Sequence, residues 1–399
     1  MPRRCLTLVN RASLLASRQW HAHLLASITL VIAIGVCCPA QAVDATAAVD
    51  PAGRDWPLAR GDALASGVAR SSLPENLDVL WKFEVPKGGF AATPIVVDGM
   101  VYIGDLDGAI RAIDLASAKE HWKFTSQDGF NASAAVRDGL IYVGDTGGTF
   151  YCLDAATGKP KWSFKTEAEI DSSANFFKDT VLFDSQDATF YCLNAKSGKE
   201  VWRFKLEEQL RCSPTVVEDR AFLAGCDGKF HVVELNKGTE VGAVEIESPT
   251  GSTPAVRGDA VYFGTQGGAF FAIDWKKATV LWKWTDANDA EIVSSAAVLP
   301  EEVIFASHRQ VRALNPQSGK LLWKFATHGR ADCSPVVVGN RVFFGGTDGR
   351  ITALDRASGK KVWEYEAGGS FTGSVAVASN RLLIASDDGI IYCLGAKAP

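Results

Sequence analysis

Histidine is scarce in this chain, and its scarcity is the first constraint on chemistry. Beyond residue 42 only His121, His231, His308 and His328 remain, at no spacing that would gather metal ligands. No histidine matches the positions of Ser213 or Ser334, which read as strand starters rather than nucleophiles. A Cys-x-x-Cys-His run is missing, so a haem attached through that motif is excluded. The adjacent cysteines Cys37 and Cys38 fall within the first 42 residues, leaving no such pair in the body of the chain. Helical periodicity is nearly absent, and with it any Gly-rich phosphate loop opening a helix. Positive charge is in deficit too: four of the 41 Lys and Arg, and none of the 46 Asp and Glu, precede residue 43. The other 37 basic residues against 46 acidic ones leave a net charge of −9, which argues against a nucleic-acid groove.

Acids are missing from residues 1–42 for a different reason. Arg3, Arg4, Arg11 and Arg18 precede the apolar run Leu24 to Val36, and Ala40-Gln41-Ala42 has the form of a small-x-small cleavage site. Residues 1–42 are therefore expected to be a secretory signal peptide. The apolar run is short for spanning about 30 Å of hydrocarbon, and Val36 ahead of Cys37 makes a poor lipoprotein signal. Residues 43–78 read as a linker and an N-terminal strap, with Asp55-Trp56-Pro57-Leu58-Ala59-Arg60-Gly61 lying on the domain formed by residues 79–395.

What the chain does have is tryptophan at a fixed interval. Trp81, Trp122, Trp162, Trp202, Trp282, Trp323 and Trp363 recur about every 40 residues, with Gly242 where one more would fall. Four residues before the aromatic stands Gly158, Gly198, Gly238, Gly319 or Gly359, or Ala118 and Ala278 in two units; eight before stands an acid or amide such as Asp154, Asn194 or Asp355. A side-chain oxygen that accepts from nearby backbone N–H groups, followed by a residue tolerant of positive φ, makes a turn between strands. A hairpin signal lies upstream, clearest at Asp98-Gly99 and repeated at Asp138-Gly139, Gly258-Asp259, Gly339-Asn340 and Ser379-Asn380. A further turn follows it, as at Asp107-Gly108 and Asp348-Gly349. Three turns cut each unit into four short strands, the signature of a propeller blade.

The predicted fold is all-β, an eight-bladed β-propeller of four-stranded antiparallel blades. The last unit, Val375 to Leu394, has only three strands, while Trp81-Lys82-Phe83-Glu84-Val85 has no blade of its own. The N-terminal strand is thus expected to complete the last blade and close the ring. Each Trp is expected to dock on the turn of a neighbouring blade. Gly242 then marks the weakest seam, where restoring Trp should raise the melting temperature. Cys152, Cys192 and Cys393 share one repeat position suited to small buried residues, and Cys333 has no evident partner. The Glu218-Asp219 hairpin brings Cys212 and Cys226 close enough to make a disulfide conceivable. Trp275, on a turn, and Trp284, on an outer strand, read either as exposed anchors or as core.

The units Leu153-Asp-Ala-Ala-Thr-Gly-Lys-Pro-Lys-Trp162 and Leu354-Asp-Arg-Ala-Ser-Gly-Lys-Lys-Val-Trp363 are similar to the tryptophan-docking repeats of the pyrroloquinoline quinone (PQQ) propeller superfamily. The resemblance spans residues 81–395, and Trp56-Pro57-x-x-Arg60-Gly61 resembles the entry segment of many PQQ-like repeat proteins. It implies fold more than activity. The superfamily includes quinoprotein dehydrogenases, which hold PQQ in the central funnel on Ca²⁺ bound by carboxylate and amide oxygens, often beneath adjacent cysteines. It also includes non-catalytic scaffolds, the BamB-like outer-membrane assembly proteins among them.

The missing cysteine pair, the missing haem motif and the near-constant repeat length, with no long insertions to roof a funnel, favour the scaffold. The expectation is a non-catalytic protein of the periplasm or cell envelope that binds an envelope protein or peptide, as a monomer or as a subunit of a hetero-complex, without a cofactor. The alternative is a PQQ- and Ca²⁺-dependent sugar or alcohol dehydrogenase. Its candidate residues are Asn131, Asp171, Arg211 and Asp332, which share one repeat position ahead of the innermost strands. Facing the funnel, their oxygens could hold a hard cation and the Arg a carboxylated ligand. Their plainer role is a hydrated funnel rim.

Overall fold

The structure, a computed structural model, describes residues 53–286 and 291–397. The signal segment and the start of the linker lie outside these residues. Eight four-stranded antiparallel sheets follow one another along the chain. In blade 1 the strands are Ile95–Val97, Met100–Gly104, Ala109–Asp114 and Glu120–Thr125. The next six blades fall at 135–165, 175–205, 215–245, 255–285, 297–326 and 336–366. Blade 8 takes its inner three strands from 376–395 and its outermost from Asp78–Glu84, which pairs antiparallel with Ile390–Gly395, Trp81 lying opposite Cys393. The two ends of the domain thus close one sheet, and the ring is left without an open edge.

Burial follows position in the blade. Second and third strands are apolar nearly throughout because neighbouring blades cover both faces, whereas the outer strand Glu200–Lys205 alternates between exposed and half-buried residues. The hairpin signals are realised as turns; Asp98 and Gly99 both take positive φ, 51° and 74°, as a type I′ turn requires. Every outer strand carries a bulge. In blade 3, Trp202 pairs with Cys192 and Glu200 with Leu193, which leaves Val201 unpaired and pointing outward. Such a bulge blunts the outer edge against further strand pairing.

Six seams between blades are built alike. The indole nitrogens of Trp81, Trp122, Trp162, Trp202, Trp282 and Trp323 donate to the carbonyls of Leu115, Ala155, Ala195, Leu235, Pro316 and Arg356, each on the turn of the following blade, at 2.8–3.0 Å. The ring lies flat enough on that turn that a Cβ added to Gly158 would come within 2.4 Å of Trp122. Gly158 also has a φ of 69°, so both the contact and the backbone call for glycine.

The seam at Gly242 corrects the expectation that it lacks a tryptophan. Trp275, from the turn of blade 5, is buried and reaches back onto Phe222 of blade 4, with ring centroids 5.5 Å apart. Its indole donates to the Gly258 carbonyl at 3.0 Å. A Cβ on Gly242 would stand 2.9 Å from that of Ala278, so the aromatic has changed sides and the small residue has moved with it. Trp284 is also packed, edge-on to Phe305 at 5.6 Å. Neither extra tryptophan is an exposed anchor.

The strap proves to lie inside the ring rather than on it. Its residues pair in order with the innermost strands of successive blades: Trp56 with Val96 in both directions, the Pro57 carbonyl with Val136 N–H, then Ala63 with Val216, Leu64 with Val256, Ser66 with Val298 and Gly67 with Val337. Blade 3 joins through the Asn175 side-chain amide, which donates to the Ala63 carbonyl at 3.0 Å. Blade 8 is reached at both ends of the circuit, by the Gly53 carbonyl and the Ser71 hydroxyl. The inner edge of each sheet would otherwise leave a backbone N–H unpaired facing the axis; the strap satisfies one in every blade but the third, where the Asn175 side-chain oxygen accepts from Phe176 N–H at 2.8 Å instead.

Candidate functional site

The strap sits at the end of the ring that carries the Asp98-Gly99-type hairpins, so the opposite end, formed by the connections entering each blade, offers the candidate site. Just inside that end, Thr93, Ser133, Ser173, Ser213, Thr253, Ser295, Ser334 and Ser374 occupy one repeat position. Seven bonds of one pattern link them, the backbone N–H of each donating to the hydroxyl oxygen of the next at 2.8–3.3 Å. These residues were read as strand starters; they form a belt of hydroxyls that ties blade to blade. Seven of the eight hydroxyl oxygens accept in this way, all but that of Ser374, and accepting leaves a hydroxyl its own proton to donate.

Arg60 lies next to this belt. The side chain is buried, and its guanidinium donates to the carbonyls of Ala296, Ser334 and Pro335 at 3.2, 3.3 and 2.7 Å. Burial pulls its pKa down to about 10. It remains a cation at neutral pH, and it anchors the strap to the entry segments of blades 6 and 7.

The four rim residues named from sequence do not converge. Asn131 donates to Asp171 at 3.1 Å, and Gln186 donates to the other oxygen of Asp171. Arg211 turns to the Gln209 side chain at 3.2 Å. Asp332, on blade 7, is held by the Nε–Nη2 edge of Arg330, which donates to its two oxygens at 2.9 and 3.2 Å. The carboxylate oxygens of Asp171 and Asp332 are thus engaged within their own blade or by the one before, and among the described residues no group of three His, Cys, Asp or Glu side chains could hold a metal ion. As arranged, these residues do not fit a Ca²⁺-supported PQQ, which would need several oxygens turned to one point.

Two features escaped the sequence reading. Asp184 is fully buried and neither carboxylate oxygen has a hydrogen-bond partner. Its repeat equivalents are Gly104, Gly144, Ala224, Gly264, Ala306, Gly345 and Ala385, so alignment of the repeats alone would have singled it out. Burial, with Asp187 nearby, raises its carboxyl well above the usual range, which favours the neutral form in the folded protein. The second is His231, held between Asp227 at 2.9 Å and Glu240 at 2.6 Å. In blade 1 the equivalent Arg111 is held in the same way by Asp105 and Glu120, which identifies a repeated clamp between the third and fourth strands rather than a catalytic histidine.

Cysteine chemistry is closed off as well. Cys212 and Cys226 are both free, which removes the conceivable disulfide. The hairpin pairs only from Thr215 to Val217, so Cys212 lies beyond the ladder whose register seemed to place it opposite residue 225. Burial pushes the thiols of Cys152 and Cys393 up to about 12 and those of Cys192 and Cys333 up to about 11. None of these four is a thiolate at neutral pH.

Ring, strap and tryptophan seams together define an eight-bladed β-propeller built from PQQ-like repeats. The chain is similar to BamB: the family model described as outer membrane protein assembly factor BamB matches residues 106–190 and 169–283. Among solved structures, BamB from Moraxella catarrhalis superposes with a TM-score of 0.70 at 19% identity, covering 81% of this chain and 99% of that one. A europium-containing methanol dehydrogenase gives 0.76 at 12% identity, covering 87% and 98%. The quinohemoprotein alcohol dehydrogenase from Comamonas testosteroni gives 0.74 at 16%, covering 87% and 81%. At such identities the likeness is one of fold. No curated protein matches the sequence.

Proposed function

We propose that the protein is a non-catalytic binding scaffold of the bacterial type represented by BamB, working in the periplasm or cell envelope and recognising another envelope protein or peptide. The observation that carries this reading is the engagement of the rim residues by their own neighbours, Asp171 by Asn131 and Gln186 and Asp332 by Arg330. Groups already satisfied in this way are poorly suited to gather a cation or a reacting substrate. The similarity of residues 106–283 to BamB supports the same choice. So do five aliphatic bulge residues, Val201, Val241, Leu281, Leu322 and Val362, each about half exposed on the outer strands of blades 3–7.

The likeness of fold to two dehydrogenases favours one second reading, a PQQ- and Ca²⁺-dependent sugar or alcohol dehydrogenase. Calorimetry with PQQ and Ca²⁺, beside a redox-dye assay on the same sample, separates the two. The scaffold reading expects no saturable heat and no turnover, and expects envelope pull-downs to recover a partner. Micromolar PQQ binding that disappears in Asp171→Ala would overturn it.

A further inference from the structure

Six tryptophan seams are filled and a seventh is filled from the other side, but the seam between blades 7 and 8 is not. Trp363 is the repeat equivalent of Trp323, whose indole donates to the Arg356 carbonyl at 2.8 Å. Among the described residues blade 8 has no turn at that place, its outer strand coming from Asp78–Glu84 rather than from a hairpin with Ile390–Gly395. The main chain of Leu73 to Glu75 runs nearby and offers its carbonyls to another group: Arg341 donates to Leu73, Pro74 and Glu75 at 2.7–3.0 Å. Among the described residues the half-buried Trp363 indole nitrogen has no acceptor. A cleft of about 450 Å³ opens beside it, lined by Leu73, Glu75, Asn76, Asp355, Val362 and Trp363.

We infer that this cleft is a vacant tryptophan seat that binds a segment of a partner protein folded as an Asp/Asn-x-x-x-Gly-Lys turn. The six filled seats specify the shape of the occupant: a backbone carbonyl one residue after the acid or amide receives the indole N–H, and a residue of positive φ, usually glycine, lies against the ring. Charge specifies the rest. The cleft carries two acids, Glu75 and Asp355, against one cation, Arg341, whose Nη1 and Nη2 donate to carbonyls, and the hydroxyl and N–H of Ser358 hold the Asp355 carboxyl below its usual range. Turns that fill seats elsewhere carry a lysine after the glycine, at Lys159, Lys199, Lys320 and Lys360. A basic turn therefore complements an acidic seat. The inference deepens the scaffold reading and rests on it.

The probe is a backbone-cyclised hairpin copying residues Thr149–Lys165, whose ends are cross-strand partners, added to full-length protein carrying ¹⁵N-labelled tryptophan indoles. The Trp363 resonance is identified by its loss in Trp363→Phe. In free protein its proton should exchange with water as an exposed indole does, while that of Trp162 is protected. Adding the hairpin should shift the Trp363 resonance saturably, and a hairpin carrying Gly158→Val should bind weaker by roughly tenfold or more. No shift up to millimolar hairpin, or an equal shift with the Gly158→Val version, would overturn the proposal. So would protection of Trp363 in the free protein, whether by its own terminal residues or, if protection grows with concentration, by a second copy. A failed titration leaves an envelope pull-down free to succeed, so failure of the seat and failure of the scaffold reading are distinguishable.

Discussion

The seam between blades 2 and 3 and the seam between blades 7 and 8 start from the same residue and end differently. Trp162 has the Ala195 carbonyl at 3.0 Å and Gly198 beneath its ring; Trp363 has a cleft. The difference does not come from the tryptophan or its strand, which follow the same pattern in both blades. It comes from how the ring is closed. Sharing blade 8 between two ends of the domain removes the exposed sheet edge, and among the described residues it leaves out the one turn that would have covered Trp363.

The strongest way to break this comparison is to empty a filled seat. Trp162→Ala removes a large side chain and leaves Gly198 facing a void, and it should destabilise by about 3–5 kcal/mol, read as the denaturation midpoint. The same change at Trp363 should cost clearly less, since that ring borders a cleft where Trp162 meets a turn. Equal losses would mean that the seams are not distinct in packing.

The seam between blades 4 and 5 sharpens the comparison by filling its seat in reverse. Because Trp275 and Ala278 already occupy the space, Gly242→Trp should overpack it and destabilise by about 1–3 kcal/mol. This is opposite in sign to the gain that the repeat pattern alone implies. A raised melting temperature would show that the seam can still accept a tryptophan in the usual orientation.

These seams also mark how far the sequence could be read. Blade number, strand number and ring closure were legible because Trp, Gly and the turn acids recur in a register that elementary turn chemistry translates into strands. The reversed aromatic was not, since a period shows that Gly242 is unlike its counterparts but not that Trp275, on the adjoining blade, compensates. The course of the strap was hidden for a similar reason: its bonds are backbone to backbone, and Pro57, Ala63 and Leu64 carry no side-chain signature of the partners they meet. Asp184 was legible in principle, being the one acid at a position otherwise held by Gly or Ala. The rim residues were found in the right place, but whether Asp171 meets a ligand or Asn131 is a matter of side-chain geometry that spacing does not contain.

Asp184 gives the next effect in size. Asp184→Ala restores the residue that blades 4, 6 and 8 carry, and it removes two unpaired buried oxygens; a gain of about 1–3 kcal/mol is expected near neutral pH. The sign of the pH dependence follows from its raised carboxyl. Below the ordinary value, about 3.9, the group is protonated in both folded and unfolded chains and costs nothing by titration. As pH climbs above that value only the unfolded chain ionises, so native stability falls until the raised folded value is reached. The advantage of the alanine variant should therefore grow with pH from about 4 upward. An advantage independent of pH would mean that Asp184 ionises alike in both states.

The smallest effect isolates the hydrogen bond itself. Trp162→Phe keeps an aromatic ring in the seat but leaves the Ala195 carbonyl without its indole donor, so a loss of about 1 kcal/mol is expected beyond the change in ring area. Trp363→Phe removes an N–H that has no acceptor among the described residues, and this second loss should be absent, leaving only the smaller ring. Taking the difference between the two variants cancels the area change common to both, provided each ring keeps its orientation, and what remains reports whether the seat is occupied. If partner binding fills the Trp363 seat, the difference should shrink in the complex, because the phenylalanine variant then loses a bond there as well. Chemical denaturation of both variants, alone and with the saturating hairpin, measures this directly. A difference of zero in the free protein would require an acceptor at Trp363 and would place that seam with the other six.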